Sequence, residues 1–289
     1  MFPRLPARLT PVRSAAGAAA LAAILVLPGM ARALDEVPFI TSPDHVTLEM
    51  LRIAGVGPRD HVIDLGSGDG RIVITAARRF GASGLGVEIV PELVARSRQA
   101  AAVAGVSDRV KFEEQDLFKT DLSRATVVTM YLLPEFNLRL RPALLALKPG
   151  TRIVSHDWDM GDWKPDKTTV LPVPDKPVGL DKTSRVHLWT VPGRVEGLWC
   201  GAGPLSSYAL RLKQQYQEVR GTLTRRERTW QVEGRLTGQR LLTGPTHIGR
   251  LELEREGDRL RMVGGDGMAV LAKGTSFVPG RDGVCPGQR

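Results

Sequence analysis

The stretch His61-Val62-Ile63-Asp64-Leu65-Gly66-Ser67-Gly68-Asp69-Gly70-Arg71 decides the fold. An apolar β-run breaks into glycines at every second position, and the chain then enters the amphipathic pattern of a helix over 70 to 80. A strand, a glycine turn and a helix in that order form the first βα unit of a parallel sheet. There the glycines permit a tight bend and let a ligand approach bare backbone. The spacing narrows the ligand. A dinucleotide fingerprint starting at Gly66 needs glycine or alanine at position 71, where Arg71 stands, and has no role for an acid two residues before the first glycine. The pattern here is Asp64-x-Gly66-x-Gly68-x-Gly70.

Outward from this turn, β-rich runs at 61–65, 84–88, 109–113, 125–130 and 151–155 alternate with helical patterns at 70–80, 91–104 and 135–147. That alternation predicts an α/β fold with a parallel sheet and flanking helices. Upstream, Ser42-Pro43-Asp44 reads as a capped helix start, ending near Gly55 and Gly57-Pro58. Two further runs, 168–173 and 185–191, have no helix between them and should form an antiparallel hairpin at one edge. Past Pro192-Gly193 the period changes to two, with runs near 195–200, 207–215, 217–224, 229–236, 246–254, 258–263 and 268–274. Their glycine-bearing turns predict a small all-β domain, an antiparallel sandwich or closed barrel.

The chain has 289 residues, 40 Lys+Arg against 31 Asp+Glu, and 42% apolar residues, which excludes disorder, collagen and coiled coil. Residues 1–33 carry Arg4, Arg8, Arg13 and Arg32 but no acid, with an apolar run from Ala15 to Leu27 ahead of Ala31-Arg32-Ala33. That order reads as a signal peptide cut after Ala33, and an uncleaved amino-terminal anchor is the alternative. Both readings place the body of the chain outside the cytoplasm, periplasmic or secreted. The expected domains are therefore 1–33, 34–192 and 193–289. The middle one carries 20 basic and 21 acidic groups and the last one 16 and 10. A near-neutral first domain lacks the cation excess that a phosphate backbone demands, so nucleic acid is not expected as partner. The basic second domain is compatible with a peripheral membrane surface, or is simply a solvated face.

The pattern around Asp64 strongly resembles the first motif of class I S-adenosylmethionine-dependent methyltransferases, and the resemblance runs from Val37 to Pro192. It implies a Rossmann-like sheet with S-adenosyl-L-methionine as cofactor. In that family the glycine loop lies beneath the amino-acid end of the cofactor and the leading acid orients the ammonium; Asp64, Gly66, Ser67, Gly68, Asp69 and Gly70 take those positions. An acid closing the second strand binds the ribose diol, which Glu88 matches, 18 residues beyond Gly70. A third acid near the adenine amine is matched by Asp116. Val37-Pro38-Phe39-Ile40-Thr41-Ser42-Pro43, read with the glycine loop, is similar to the small membrane-associated protein-lysine methyltransferases, where a Pro-rich segment packs over the cofactor. An export signal and a β-rich extension depart from that subgroup.

The acceptor should lie beyond strands four and five. Tyr131 is the first candidate to line a methyl-transfer channel, the alternative being a core edge. His156 and Asp157 are candidates to deprotonate an acceptor, against a structural histidine bonded in place. Asp157 and Asp159 lack a third ligand, so no metal is expected. Trp199, Tyr216 and Trp230 would line a ligand cavity or form the core of the β domain, and Cys200 and Cys285 either pair or remain thiols. The sequence thus predicts a methyltransferase acting on a protein lysine or a small molecule. The rival is an exported nucleoside-binding or scaffold protein on the same fold, because the methyl donor is made in the cytoplasm.

Overall fold

β1 (His61–Leu65) lies at the centre of a seven-stranded sheet because its side chains are apolar on both faces. Val62 packs toward α1 (Asp44–Ile53) and α2 (Arg71–Phe80), whereas Ile63 and Leu65 pack toward α4 (Pro134–Leu145). The computed structural model describes residues 40–177, 181–280 and 284–285. The leader and its cut after Ala33 lie outside the described residues, as does Val37-Pro38-Phe39. The remaining strands are β2 (Ser83–Glu88), β3 (Val110–Glu114), β4 (Val127–Met130), β5 (Arg152–His156), β6 (Lys167–Pro172) and β7 (Thr183–Thr190), with α3 (Pro91–Val103) joining β2 to β3.

Their order is β3-β2-β1-β4-β5-β7-β6. The first five are parallel, and β7 runs antiparallel to both β5 and β6, forming the edge hairpin. The order reverses at β1, which has β2 on one side and β4 on the other, so a crevice opens at its carboxyl end. No helix among the described residues is long and apolar enough to cross a membrane.

The helix start corrects one expectation. α1 begins at Asp44 with Pro43 in the capping position and no side-chain cap; the Ser42 hydroxyl bonds His156 Nδ1 instead, at 2.8 Å.

The all-β part is a closed eight-stranded barrel rather than a sandwich: β8 (Gly197–Gly201), β9 (Tyr208–Gln215), β10 (Glu218–Arg225), β11 (Arg228–Thr237), β12 (Arg240–Thr243), β13 (Leu251–Glu256), β14 (Arg259–Gly265) and β15 (Ser276–Pro279), with β15 paired to β8. Three details differ from the sequence reading, one being that β13 begins at Leu251 rather than near 246. β12 was not anticipated, and residues 268–274 are no strand: Gly267–Ala272 forms a 3₁₀ turn, with the last strand following it.

The barrel interior is filled by side chains such as Leu210, Leu223, Leu253, Leu260 and Phe277. Trp199 belongs to that core. Trp230 is half-buried and stacks on His247 with ring centroids 3.4 Å apart. Tyr216 leaves the barrel altogether: its hydroxyl donates to Asp162 at 2.9 Å and its ring stacks on the fully buried Trp163 of the α/β half. Beside it, Gln217 Nε2 donates to the Lys164 carbonyl at 2.6 Å, and Arg235 pairs with Asp166 at 2.7 Å. Sheet and barrel accordingly fall within one compact unit, Ile40–Arg289.

Cys200 and Cys285 form a disulfide that closes a loop of sequence separation 85. A crosslink spanning that length should contribute roughly 4 kcal/mol by restricting the unfolded chain. Cys200→Ser with Cys285→Ser is expected to lower the urea midpoint and to abolish its sensitivity to reductant. A midpoint that reductant leaves unchanged in the parent protein would contradict the pairing.

Candidate active site

The register of the sheet creates the site. Asp64 stands opposite Gly86 on β2 and Thr129 on β4, so its carboxylate has a small neighbour on one side and a hydroxyl on the other. Thr129 Oγ1 donates to Asp64 Oδ1 at 2.7 Å, 65 residues away in sequence. Asp64 is 2% exposed, and burial pushes its carboxyl up to about 7. The Thr129 bond opposes that shift, while the charges of Glu88 and Asp69 add to it. A buried carboxylate with neighbours of its own sign is poised to accept a cation.

The turn itself consists of Gly66, Gly68 and Gly70, all with positive φ. Two of them also lack room for a side chain. A Cβ on Gly66 would meet Leu132 at 2.9 Å, and one on Gly70 would meet the Phe112 ring at 2.7 Å. α3 fastens the turn from beneath, where Ser97 Oγ donates to the Gly68 carbonyl at 2.8 Å. Glu88 reaches back from the end of β2: Oε2 accepts the Gly68 N–H at 3.0 Å, and Oε1 accepts the N–H groups of Ile89 and Val90. The carboxylate is thereby fixed beside the loop, with the 65% exposed Ile89 side chain next to it.

Ser67 Oγ is buried and has no hydrogen-bond partner. Asp69 pairs with Arg71 at 2.7 Å. Burial raises the Asp69 carboxyl, but the guanidinium outweighs it and holds the group below the ordinary carboxylate range. Arg71 also donates to the Ser42 carbonyl at 2.9 Å, tying the segment before α1 to the loop. Asp116 sits apart from this group of contacts. Its carboxylate caps the short turn Leu117–Lys119 by accepting the Phe118 N–H at 2.9 Å, and it lies 3.6 Å from the Lys119 ammonium.

The acceptor-side residues come together beyond β4 and β5. The Tyr131 ring stacks on His156 with centroids 3.9 Å apart, and its hydroxyl lies 3.5 Å from Asp157 Oδ2. Burial and the Asp157 charge push the Tyr131 phenol up to about 12, so it stays protonated. His156 is 1% exposed, and its two ring nitrogens bond Ser42 and Ser184, each at 2.8 Å. Burial drives it down to about 4 against the opposing pull of Asp157. Both nitrogens of His156 are taken up by side-chain hydroxyls and the ring is buried, so it braces the Tyr131 ring stacked on it. Asp157, at φ 64, spends its carboxylate on the Arg185 N–H and the Lys176 ammonium, the latter at 2.8 Å. Trp158, next in sequence, is 44% exposed on this side.

Sequence reasoning missed Thr129, Ser42, Ser97, Ser184 and Lys176. Each acts through a contact formed only when distant segments pack, so no local spacing announces it. No group of three or more metal-type ligands occurs among the described residues.

The pattern of an S-adenosylmethionine site fits these residues: bare backbone where a Cβ would collide, a buried carboxylate, an unpaired buried hydroxyl and a second carboxylate fixed at the adjacent strand end. Comparison with known proteins agrees. Residues 64–167 match the family model described as the ANTKMT methyltransferase domain. A protein-lysine N-methyltransferase of Saccharolobus islandicus is 43% identical over 134 residues, covering 46% of this chain and 83% of that relative. The adenine nucleotide translocase lysine N-methyltransferase of Mus musculus is 33% identical over 146 residues, 50% of this chain and 63% of the relative. A solved RNA methyltransferase from Salinibacter ruber, crystallised with S-adenosyl-L-homocysteine, is 50% identical and covers 54% of this chain and 96% of its own, with a TM-score of 0.49. The family model ends at residue 167, so the barrel lies outside it.

Proposed function

We propose that this chain, which belongs to the ANTKMT family of S-adenosylmethionine-dependent methyltransferases, methylates the side-chain amine of a protein lysine. Support for the acceptor comes from the Saccharolobus and mouse relatives, both lysine N-methyltransferases, and from the near-neutral charge of residues 34–192, which suits a protein better than a polyanion. The observation that carries the cofactor site is the turn 64–70 held between Asp64 and Glu88 at the carboxyl ends of neighbouring strands.

When bound, the cofactor supplies an electrophilic methyl carbon on a sulfonium, and the protein's task is then alignment and exclusion of water. Asp64 takes the ammonium, and Ser67 Oγ offers an unused hydroxyl beside it. Glu88, already oriented by three backbone amides, accepts the ribose hydroxyls, and Ile89 provides apolar surface for the base. On the acceptor side Tyr131, protonated and braced by His156, lines the approach, and Asp157 orients the phenol. A lysine amine near its ordinary pKa of about 10.4 must shed a proton before attack. His156, buried and doubly bonded, is not placed to take it.

An exported position for residues 34–289 is part of the proposal. The Cys200–Cys285 pairing supports it, because such bonds persist in oxidising compartments. Incubation with methyl-labelled cofactor and a cell-envelope extract, followed by digestion, should place the label on lysine. Label recovered only in RNA, lipid or small molecules would overturn the acceptor. Absence of both binding and turnover would leave the fold as a scaffold.

A further inference from the structure

The barrel has two ends with different surroundings. The turns at Tyr216-Gln217 and Gly238 face the α/β half, where the Gly193 N–H donates to the Gly238 carbonyl at 2.7 Å. Because adjacent strands are antiparallel, the opposite end carries the connections 226–227, 244–250 and 266–275. There the 3₁₀ turn Gly267–Ala272 sorts its residues by the period of three. Ala269 and Ala272 point into the barrel core at 1% and 4% exposure, leaving Met268, Val270 and Leu271 outside at 60%, 51% and 82%. Three large apolar side chains on one short turn cannot be covered by the barrel itself, whose core the two alanines already meet.

The same end is basic. The β10–β11 connection holds Arg226 and Glu227, Arg228 opens β11, and Lys273 follows the 3₁₀ turn; all four side chains are exposed. Among the described residues Arg226, Arg228 and Lys273 have no carboxylate partner, whereas Arg250 spends its charge on Asp266 at 3.8 Å. An apolar turn with Lys273 next to it, on the same barrel end as the unpaired Arg226 and Arg228 across the rim, matches the boundary of an anionic bilayer, where acyl chains lie beneath a negative headgroup layer. A second copy of the chain would bring the same positive charge to this face, and an acidic protein would leave the apolar tip without a matching surface.

We infer that the end of the barrel remote from the α/β half docks on an anionic lipid surface through Met268, Val270 and Leu271, with Arg226, Arg228 and Lys273 pairing to headgroups. This inference does not rest on the identity of the methyl acceptor.

The test uses the full chain, with its disulfide intact, labelled by an environment-sensitive nitrobenzoxadiazole dye at Leu271→Cys, or at Asp258→Cys on the opposite end. On vesicles of phosphatidylcholine doped with phosphatidylglycerol, the dye at 271 should brighten several-fold and shift to the blue, and the dye at 258 should not. Arg226→Glu with Arg228→Glu, or high salt, should weaken the response at 271 at least several-fold. A silent dye at 271 on chains that nevertheless sediment with vesicles would mean that another segment holds them, and would overturn the inference. So would an equal response on pure phosphatidylcholine, or one that appears on concentrating the protein without lipid. Both labelled positions are exposed, and far-ultraviolet circular dichroism confirms that each version is folded.

Discussion

Lowering the pH from 8 to 5 is expected to weaken S-adenosylmethionine binding about 100-fold, and Asp64→Asn should remove most of that dependence. The reason is the carboxyl of Asp64, which burial pushes up to about 7. The cofactor's ammonium needs the carboxylate, and each unit of pH below about 7 leaves tenfold less of it. Stability of the unliganded protein moves the opposite way. A carboxyl whose folded pKa is raised from 3.8 takes up a proton on folding between those values. Its stabilising contribution is therefore complete below 3.8 and is lost as pH rises through about 7. Titration calorimetry across the range checks the binding, and thermal melts of the free protein check the opposing trend. A flat binding profile in the parent protein, or an unchanged slope in Asp64→Asn, would place the ammonium elsewhere.

Gly70→Ala should cost about 3 kcal/mol or more of stability, against about 1 kcal/mol for Gly55→Ala. The two glycines have similar backbone, φ 79 and φ 60, so both lose by taking on a side chain in the left-handed region. Only Gly70 is also crowded. Its Cβ would come within 2.7 Å of two Phe112 ring carbons and 2.9 Å of the Ser97 Cβ, whereas nothing lies within 4 Å at Gly55. Phe112 is buried and cannot swing away, so the turn itself must shift, and cofactor affinity should fall along with stability. Urea unfolding measures both variants. Equal losses would mean that the turn tolerates a side chain and that its glycines serve backbone conformation alone.

The sheet was legible because its strands are apolar runs bounded by glycine and proline. β1 falls where the sequence places it, and β2 to β7 depart by one or two residues at their ends. Separation of the hairpin β6–β7 from the parallel strands also followed from local pattern, since no helix fits between them. The barrel was harder. β12 is four residues long and exposes two of them, too little for periodicity to register. The run Met268-Ala269-Val270-Leu271-Ala272 is as apolar as a strand, but glycines at 267 and 274, both with positive φ, close it into a turn. The structure brings Asp64, the three glycines and Glu88 together, as their places at neighbouring positions or at the ends of adjacent strands predict. Ser42 differs: the local rule assigns its hydroxyl to a helix cap, and a histidine 114 residues downstream takes it. The surroundings of His156 were hidden for the same reason, since its burial and its two hydroxyl partners come from segments distant in sequence.

Pairing of β15 with β8, reinforced by the bond from Cys285 to Cys200, has a consequence for biogenesis. During synthesis, amino terminus first, the α/β half has all of its strands once residue 190 has emerged, whereas the barrel remains an open, edge-exposed ribbon until residue 279 arrives. Throughout that interval the unpaired rims of β8 and of the last strand to have emerged are free to recruit foreign strands. A nascent chain stalled between those two points should be the species most prone to aggregate and most dependent on a holding chaperone.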